Sequence, residues 1–366
     1  MTSICLTPIQ TLPASGARAA QPIRVGGLEL LAIPQLAYDI PGQPAHMNGG
    51  DSETELLLLR RSGDRFEPWG TLPAPGGEDA EFFTIGDRAF LAVASIRSGA
   101  GPYDFTVASM VHEWDGARFV PFQAFDAFAA KQWRHFTVDG RHFLALAQGV
   151  AVPETAGLNR PSVIYVWDGT RFTHFQDIPS QWAYNWRAFT VGGHTMLAHA
   201  DHAGPSVLYR WDGGRFVAHQ ELASARGRAF ATFDDPGGGG TYLAVACIDD
   251  GSQLLRWDPA GERFVEHQKL AGAGARELAV VRTDRGLYLI RVNFIVGTPA
   301  DPTAALMSQV YRWEGERLDV VEEFATTGGT DVAVLDSASG PLIVQTNALA
   351  ADLRFAAESR VYRFTD

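Results

Sequence analysis

The sequence predicts an all-β fold: a seven-bladed β-propeller of four-stranded antiparallel blades whose N-terminal strand closes the last blade. Three observations predict it. One motif recurs seven times at a spacing of about fifty residues; each copy divides into four short strand-like runs; and a lone N-terminal strand matches the one that the seventh copy lacks.

The motif is plainest in VHEWDGARF ending at Phe119, IYVWDGTRF ending at Phe172, LYRWDGGRF ending at Phe216 and VYRWEGERL ending at Leu318. LLRWDPAGERF, ending at Phe264, carries two extra residues in its turn. LLRRSGDRF, ending at Phe66, has Arg61 at the Trp position, and VYRFTD is the copy cut off at Asp366. That position falls at 61, 114, 167, 211, 257, 313 and 364, a period too long for leucine-rich or ankyrin repeats.

Within the third copy the four runs are residues 135–140, 142–148, 162–169 and 171–178. Each is rich in β-branched and aromatic residues and ends in Gly, Asp or a polar turn, with no helical spacing of apolar positions. Asp-Gly at 115–116, 168–169 and 212–213 is expected to supply positive backbone angles to a tight third-to-fourth hairpin. Asp139-Gly140 and Gly192-Gly193 predict an equally tight first-to-second turn.

A sheet of four short strands cannot bury both faces alone, so seven of them stack in a ring. Leu6-Thr7-Pro8-Ile9-Gln10 matches Phe119-Val120-Pro121-Phe122-Gln123 position by position and is assigned as the missing outer strand beside Val361–Phe364. The whole chain, 1–366, reads as a single domain. Its blades fall near 21–72, 80–125, 133–178, 186–222, 228–270, 276–324, and 330–366 completed by 4–12.

Composition narrows the partners. A formal charge of −12 disfavours nucleic acid and anionic membrane surfaces, and no run approaches the length of a membrane span. Cys5 and Cys247 read as two buried, reduced thiols, and the opening segment lacks the pattern of a secretion signal, so the expected location is cytoplasmic. All but two of the 30 basic residues are Arg, Lys131 and Lys269 being the exceptions, a skew that suggests a bacterial base composition.

The repeats resemble the epilepsy-associated (EAR, or EPTP) repeat. The residues that carry the likeness are Phe119 with Phe122-Gln123, Phe172 with Phe175-Gln176, and the strands Leu91-Ala92-Val93-Ala94, Leu144-Ala145-Leu146-Ala147 and Leu243-Ala244-Val245-Ala246, together with the Trp-Asp-Gly series. The resemblance covers nearly the whole chain. It implies seven blades and a protein-recognition surface of the kind that family members use outside the cell, and it implies no catalytic residue.

Function is expected on the face carrying the long second-to-third loops, near 41–53, 95–108, 149–161, 293–307 and 347–358; blades four and five have short ones, leaving a cleft open to one side. Arg134, Arg187, Arg228 and Arg276 read as one arc of guanidiniums at a single level of the innermost strands, with Gln21, Glu81 and Thr330 completing the ring. Such an arc demands an anion, either a ligand or an ion-pair belt formed with Glu81, Asp201, Glu277 and Asp331. Trp133, Trp182, Tyr184 and Trp186 beside it suit stacking on a ligand.

The partner is therefore expected to be a protein, peptide, glycan or small acidic molecule at the long-loop face and channel mouth. The alternative is an enzyme, a lyase, isomerase or cyclase, that holds an acidic substrate in the arc and uses His199, Asp201 or His202 as acid or base. No cofactor is implied, and no metal, since these His and Asp residues match no familiar ligand spacing.

Overall fold

The structure is a computed structural model that describes residues 4–152, 155, 157–298 and 301–366. Seven four-stranded antiparallel sheets stand around a central channel, each in the order of the chain except the last, which takes Cys5–Ser15 as its outer strand. The innermost strands are Gln21–Val25, Gly77–Ile85, Gln132–Val138, Ala183–Val191, Gly227–Asp234, Ala275–Thr283 and Gly329–Leu335. Each packs against the next and the seventh against the first, closing the ring.

The latch forms as the motif predicts. Leu6 pairs Phe364, Pro8 pairs Tyr362 and Gln10 pairs Val361, and the pairing runs on to Ser15 opposite Ala356. Leu6 turns into the seam and is buried, whereas Cys5 faces outward and is exposed, contrary to the expectation of two buried thiols; Cys247 is buried. The parity of a strand puts neighbours on opposite faces, and the outermost strand has solvent on one of them.

The tight turns divide into two kinds. Asp139-Gly140 and Gly192-Gly193 take positive φ at both residues, as a two-residue hairpin requires. The Asp-Gly pairs after the repeat Trp do not. There the connection is a four-residue loop, and Asp115 accepts hydrogen bonds from the backbone amides of Ala117 and Arg118 while only Gly116 has positive φ. Asp168 and Asp212 repeat this arrangement, so the aspartate acts as a side-chain turn former rather than as a left-handed residue.

The core lies in the seams. Each of seven apolar clusters mixes second-strand residues with those of the neighbouring blade, as where Phe143, Ala145 and Ile164 meet Trp186, Leu197 and Phe216. The Gln of the Phe-x-x-x-Gln motif ties these seams at the rim. A bulge skips the residue before it, as between Pro121 and Gln123, and turns the amide toward the next blade. There Gln10, Gln123, Gln176, Gln220 and Gln268 each donate to the carbonyl and accept from the amide of Phe66, Phe172, Phe216, Phe264 and Leu318 respectively, at 2.6–3.0 Å. In the sixth seam Glu322 stands at that position and accepts from the Leu6 amide at 3.1 Å, but it cannot donate. In the first seam the position is Gly70, and no clamp forms.

The long second-to-third loops lie together on the face where the inner strands begin. Pro153, Glu154 and Ala156 of the third and Pro299 and Ala300 of the sixth lie outside the described residues, as do residues 1–3. Beneath the loops, Leu36, Ile96, Phe128, Val150, Leu349 and Phe355 form an eighth apolar cluster. Arg97 pins two loops to each other: it donates to Asn48 O, Gly49 O and Ser52 Oγ at 2.6–2.9 Å and lies 3.7 Å over the Tyr103 ring.

Candidate site at the channel mouth

Backbone pairing decides where the arginines lie, and it divides the expected arc into two levels. Arg134 pairs Ala145 and Arg187 pairs Ala198 in regular ladders. Arg228 instead occupies a bulge between the pairs Gly227–Cys247 and Ala229–Ala246, and Arg276 one between Ala275–Asn293 and Glu277–Val292. The matching bulge in the fourth blade lies between Ala183–Asp201 and Asn185–Ala200 and holds Tyr184. Arg228 and Arg276 are therefore counterparts of Tyr184, three residues nearer the loops than Arg187. Sequence similarity aligned the Arg residues, but the bulge, an extra unpaired residue, shifted their level.

The mouth level, one residue from each blade in order, is Arg18, Glu78, Lys131, Tyr184, Arg228, Arg276 and Thr330. Four cations and one carboxylate meet there. Glu78, fully buried, pairs with Arg18 at 2.8 Å, Lys131 at 3.2 Å and Arg276 at 3.9 Å. Burial alone would raise its pKa, but Arg18, Lys131 and Arg276 outweigh that and hold it at about 2. Three of the cations gather on one aromatic ring: Arg228 lies 4.0 Å, Arg276 4.8 Å and Lys131 5.2 Å from the centroid of Tyr184.

The deeper level mixes both signs. Arg134 pairs with Glu81 at 3.0 Å, and Arg187 lines the same channel, which encloses about 300 Å³. Asp79, Glu277 and Asp331 stand between the two levels. Asp79 accepts from the Trp133 amide and Asp331 from the Ala20 amide, each reaching the neighbouring blade, while Glu277 accepts from Asn185 Nδ2. Burial pushes Asp79 up to about 8 and raises Glu277 and Asp331 in the same direction. The belt expected of Glu81, Asp201, Glu277 and Asp331 is thus only partly formed: Glu81 has an ion pair, and Asp201 lies elsewhere.

Above the mouth, under the long loops, opens a second cavity of about 630 Å³. Its floor shares Arg18, Glu78, Lys131 and Tyr184 with the channel, and Arg228 completes it. Its walls are apolar and aromatic, among them Met47, Tyr103, Phe105, Val150, Trp182 and Phe294. Met47, Tyr103, Phe105, Val150 and Phe294 come from the long loops of blades 1, 2, 3 and 6, and Trp182 from the segment entering blade 4.

The other expected site residues separate in the same way. Trp182 and Tyr184 face this cavity, whereas Trp133 and Trp186 are fully buried in the seams and do not line it. His199 is buried with its ring centroid 4.1 Å from that of Trp186, and its Nε2 meets Ser162 Oγ at 3.1 Å. Asp201 accepts from the backbone amides of Gln181, Trp182, Ala203 and Gly204, which makes it the organiser of the loops around it. Of the three acid–base candidates only His202 reaches the cavity, and burial, followed by Arg228 and Arg226, holds its pKa at about 3. Among the described residues no three His, Cys, Asp or Glu side chains converge as a metal site would require.

Sequence reading missed Arg18, Glu78, Lys131, Arg97 and Tyr103. The first three were legible only as the residues three positions ahead of Gln21, Glu81 and Arg134, and nothing in the sequence says that this offset equals the bulge of the later blades.

Comparison with known proteins gives the repeat its family. A profile of the EPTP domain matches residues 118–168 and 171–212, from the last strand of the second blade to the third strand of the fourth. Residues 118–168 and 171–212 belong to the EAR/EPTP repeat family. The human thrombospondin-type laminin G domain and EAR repeat-containing protein is 30% identical over 179 residues, which is 48% of this chain and 25% of that protein. Its mouse counterpart is 27% identical over 168 residues, 45% of this chain and 24% of that protein. The matched part, a little under half of this chain, thus spans about a quarter of the length of these relatives. Among solved structures, the SapL1 lectin in complex with alpha methyl fucoside superposes with a TM-score of 0.47 and 14% identity, over 85% of this chain and 96% of that one.

Proposed function

We propose that this EPTP propeller is a recognition module whose ligand enters the cavity over the channel mouth, on the long-loop face. One observation carries the reading: a cavity of about 630 Å³ is already built there, within the range of small-molecule sites, with apolar walls over a few converging polar groups. Its loops are fixed before any ligand arrives, because Arg97 bonds three atoms of the first blade's loop. Pre-organisation of that kind lowers the entropic cost of binding. The placement of His199 and Asp201 as structural pegs favours binding over proton transfer.

A thermal-shift screen of peptides, glycans and small acids tests the proposal, run in parallel on the native chain and on Val152→Trp, which fills the cavity from its rim. Ligands that stabilise the native chain are expected to lose their effect on the variant. Hits that survive Val152→Trp, yet respond to substitutions on the tight-turn face such as Asp139→Ala, would place recognition on the opposite side.

A further inference from the structure

Arg228 is a buried cation without a counter-ion. It is 6% exposed, and among the described residues no carboxylate pairs with it. Its protein hydrogen bonds all leave from one nitrogen, NH1, to His202 Nδ1 at 2.7 Å and Gly227 O at 3.1 Å. The imidazole is a poor substitute for an anion. His202 also faces Arg226 at Nε2, 3.0 Å away, and a neutral ring has one acceptor nitrogen, so one of the two guanidiniums confronts a ring N–H.

The neighbours deepen the deficit. Arg18, Lys131 and Arg276 share the single carboxylate of Glu78, and Arg276 is 3.9 Å from it, beyond hydrogen-bonding distance. Burying cations without compensating anions is costly, and such a cluster persists where an anion completes it. This local excess of positive charge sits inside a chain whose formal charge is −12, so it is not a reflection of the general surface.

We infer that the cavity takes an organic anion head first. Its negative group, a carboxylate, phosphate or sulfate, sits on the open side of Arg228 beside Arg18 and Lys131, with Arg276 lining the channel below. Its apolar or aromatic body lies against Met47, Tyr103, Phe105, Trp182 and Phe294. Arg228 and Lys131, set over the Tyr184 ring, draw the head group to the floor, and the wall above is mainly apolar and aromatic, which sets the orientation. The inference rests on the cavity being the recognition site and adds the chemical class of its ligand.

Isothermal titration of the full chain with four probes of similar body tests it: 4-phenylbutyrate, 4-phenylbutyl phosphate, 4-phenylbutanol and 4-phenylbutylamine. An acid is expected to bind at least about tenfold more tightly than the alcohol, the amine not at all, and the tighter of the two acids names the head group. Arg228→Met should erase the preference for the acid without lowering Tm, and Arg276→Gln should weaken it with the same sign. Equal affinity for acid and alcohol, with Tyr103→Ala weakening both, overturns the anion but leaves the cavity as the recognition site. Failure of all four probes to bind overturns both readings.

Discussion

The rim of the propeller and its channel are built on opposite rules. At the rim one contact repeats: a Gln side chain bridges to the backbone of the next blade in five of the seven seams, and Glu322 imitates it in a sixth. In the channel no single residue type runs around the ring: the mouth level reads Arg, Glu, Lys, Tyr, Arg, Arg, Thr, and among adjacent blades only the fifth and sixth agree. Repetition belongs to the part that holds blades together, where every seam poses the same geometric problem. Irregularity belongs to the part that faces a ligand, where identical charges around a ring would only repel.

The largest effect should come from breaking the channel's rule. Glu78→Gln removes the one anion of the mouth level and leaves three buried cations uncompensated, with an expected cost of about 3–5 kcal/mol. Thermal and denaturant unfolding measure this. A variant as stable as the native chain would mean that solvent, rather than Glu78, neutralises the cluster.

The carboxylates just below the mouth should give stability an unusual pH dependence. Asp79, whose pKa is about 8 in the folded chain and near 3.8 when exposed, holds its proton in the folded state and loses it on unfolding across that window. Its contribution is full below about 4 and is lost as pH rises through 8, at up to about 1.4 kcal/mol per pH unit. Glu277 and Asp331 act in the same direction, while Glu78, held at about 2, contributes above its ordinary value of 4.5 and fails only in strong acid. Asp79→Asn keeps an acceptor for the Trp133 amide and should flatten the decline between pH 5 and 8. Chemical denaturation across that range checks the sign, and stability that climbs toward pH 8 in the native chain would refute it.

The rim offers the smallest and cleanest tests. Gln220→Ala severs the two bonds to Phe264 and should cost about 1–3 kcal/mol. Gly70→Gln should do the reverse, since a Cβ there meets open space and the position matches those of the other clamps; the expected gain is about 0.5–1.5 kcal/mol. If Gln220→Ala is neutral, the recurring Gln serves something other than the seam. If Gly70→Gln destabilises, the first seam differs from the rest in more than its missing side chain.

The fold was legible because its signals are local and redundant. Seven imperfect copies of Trp-Asp-Gly and Phe-x-x-x-Gln vote together, so Arg61 in place of Trp or two extra residues before Phe264 change nothing. The latch was legible for the same reason, Leu6 to Gln10 being one more copy. The recurring Gln was visible as a motif, but its role as an inter-blade clamp was not.

By itself, then, the sequence determined the number of blades, the closing strand and the face that carries the long loops. The tertiary structure decided which charges meet. The backbone bulges moved Arg228 and Arg276 to the level of Tyr184, left Arg134 and Arg187 below with Glu81, and brought in Arg18, Glu78 and Lys131, which no motif marked. Periodicity fixes which face of a strand a residue takes, but a single bulged residue shifts its height along the channel, and buried electrostatics depends on that height far more steeply than the fold does.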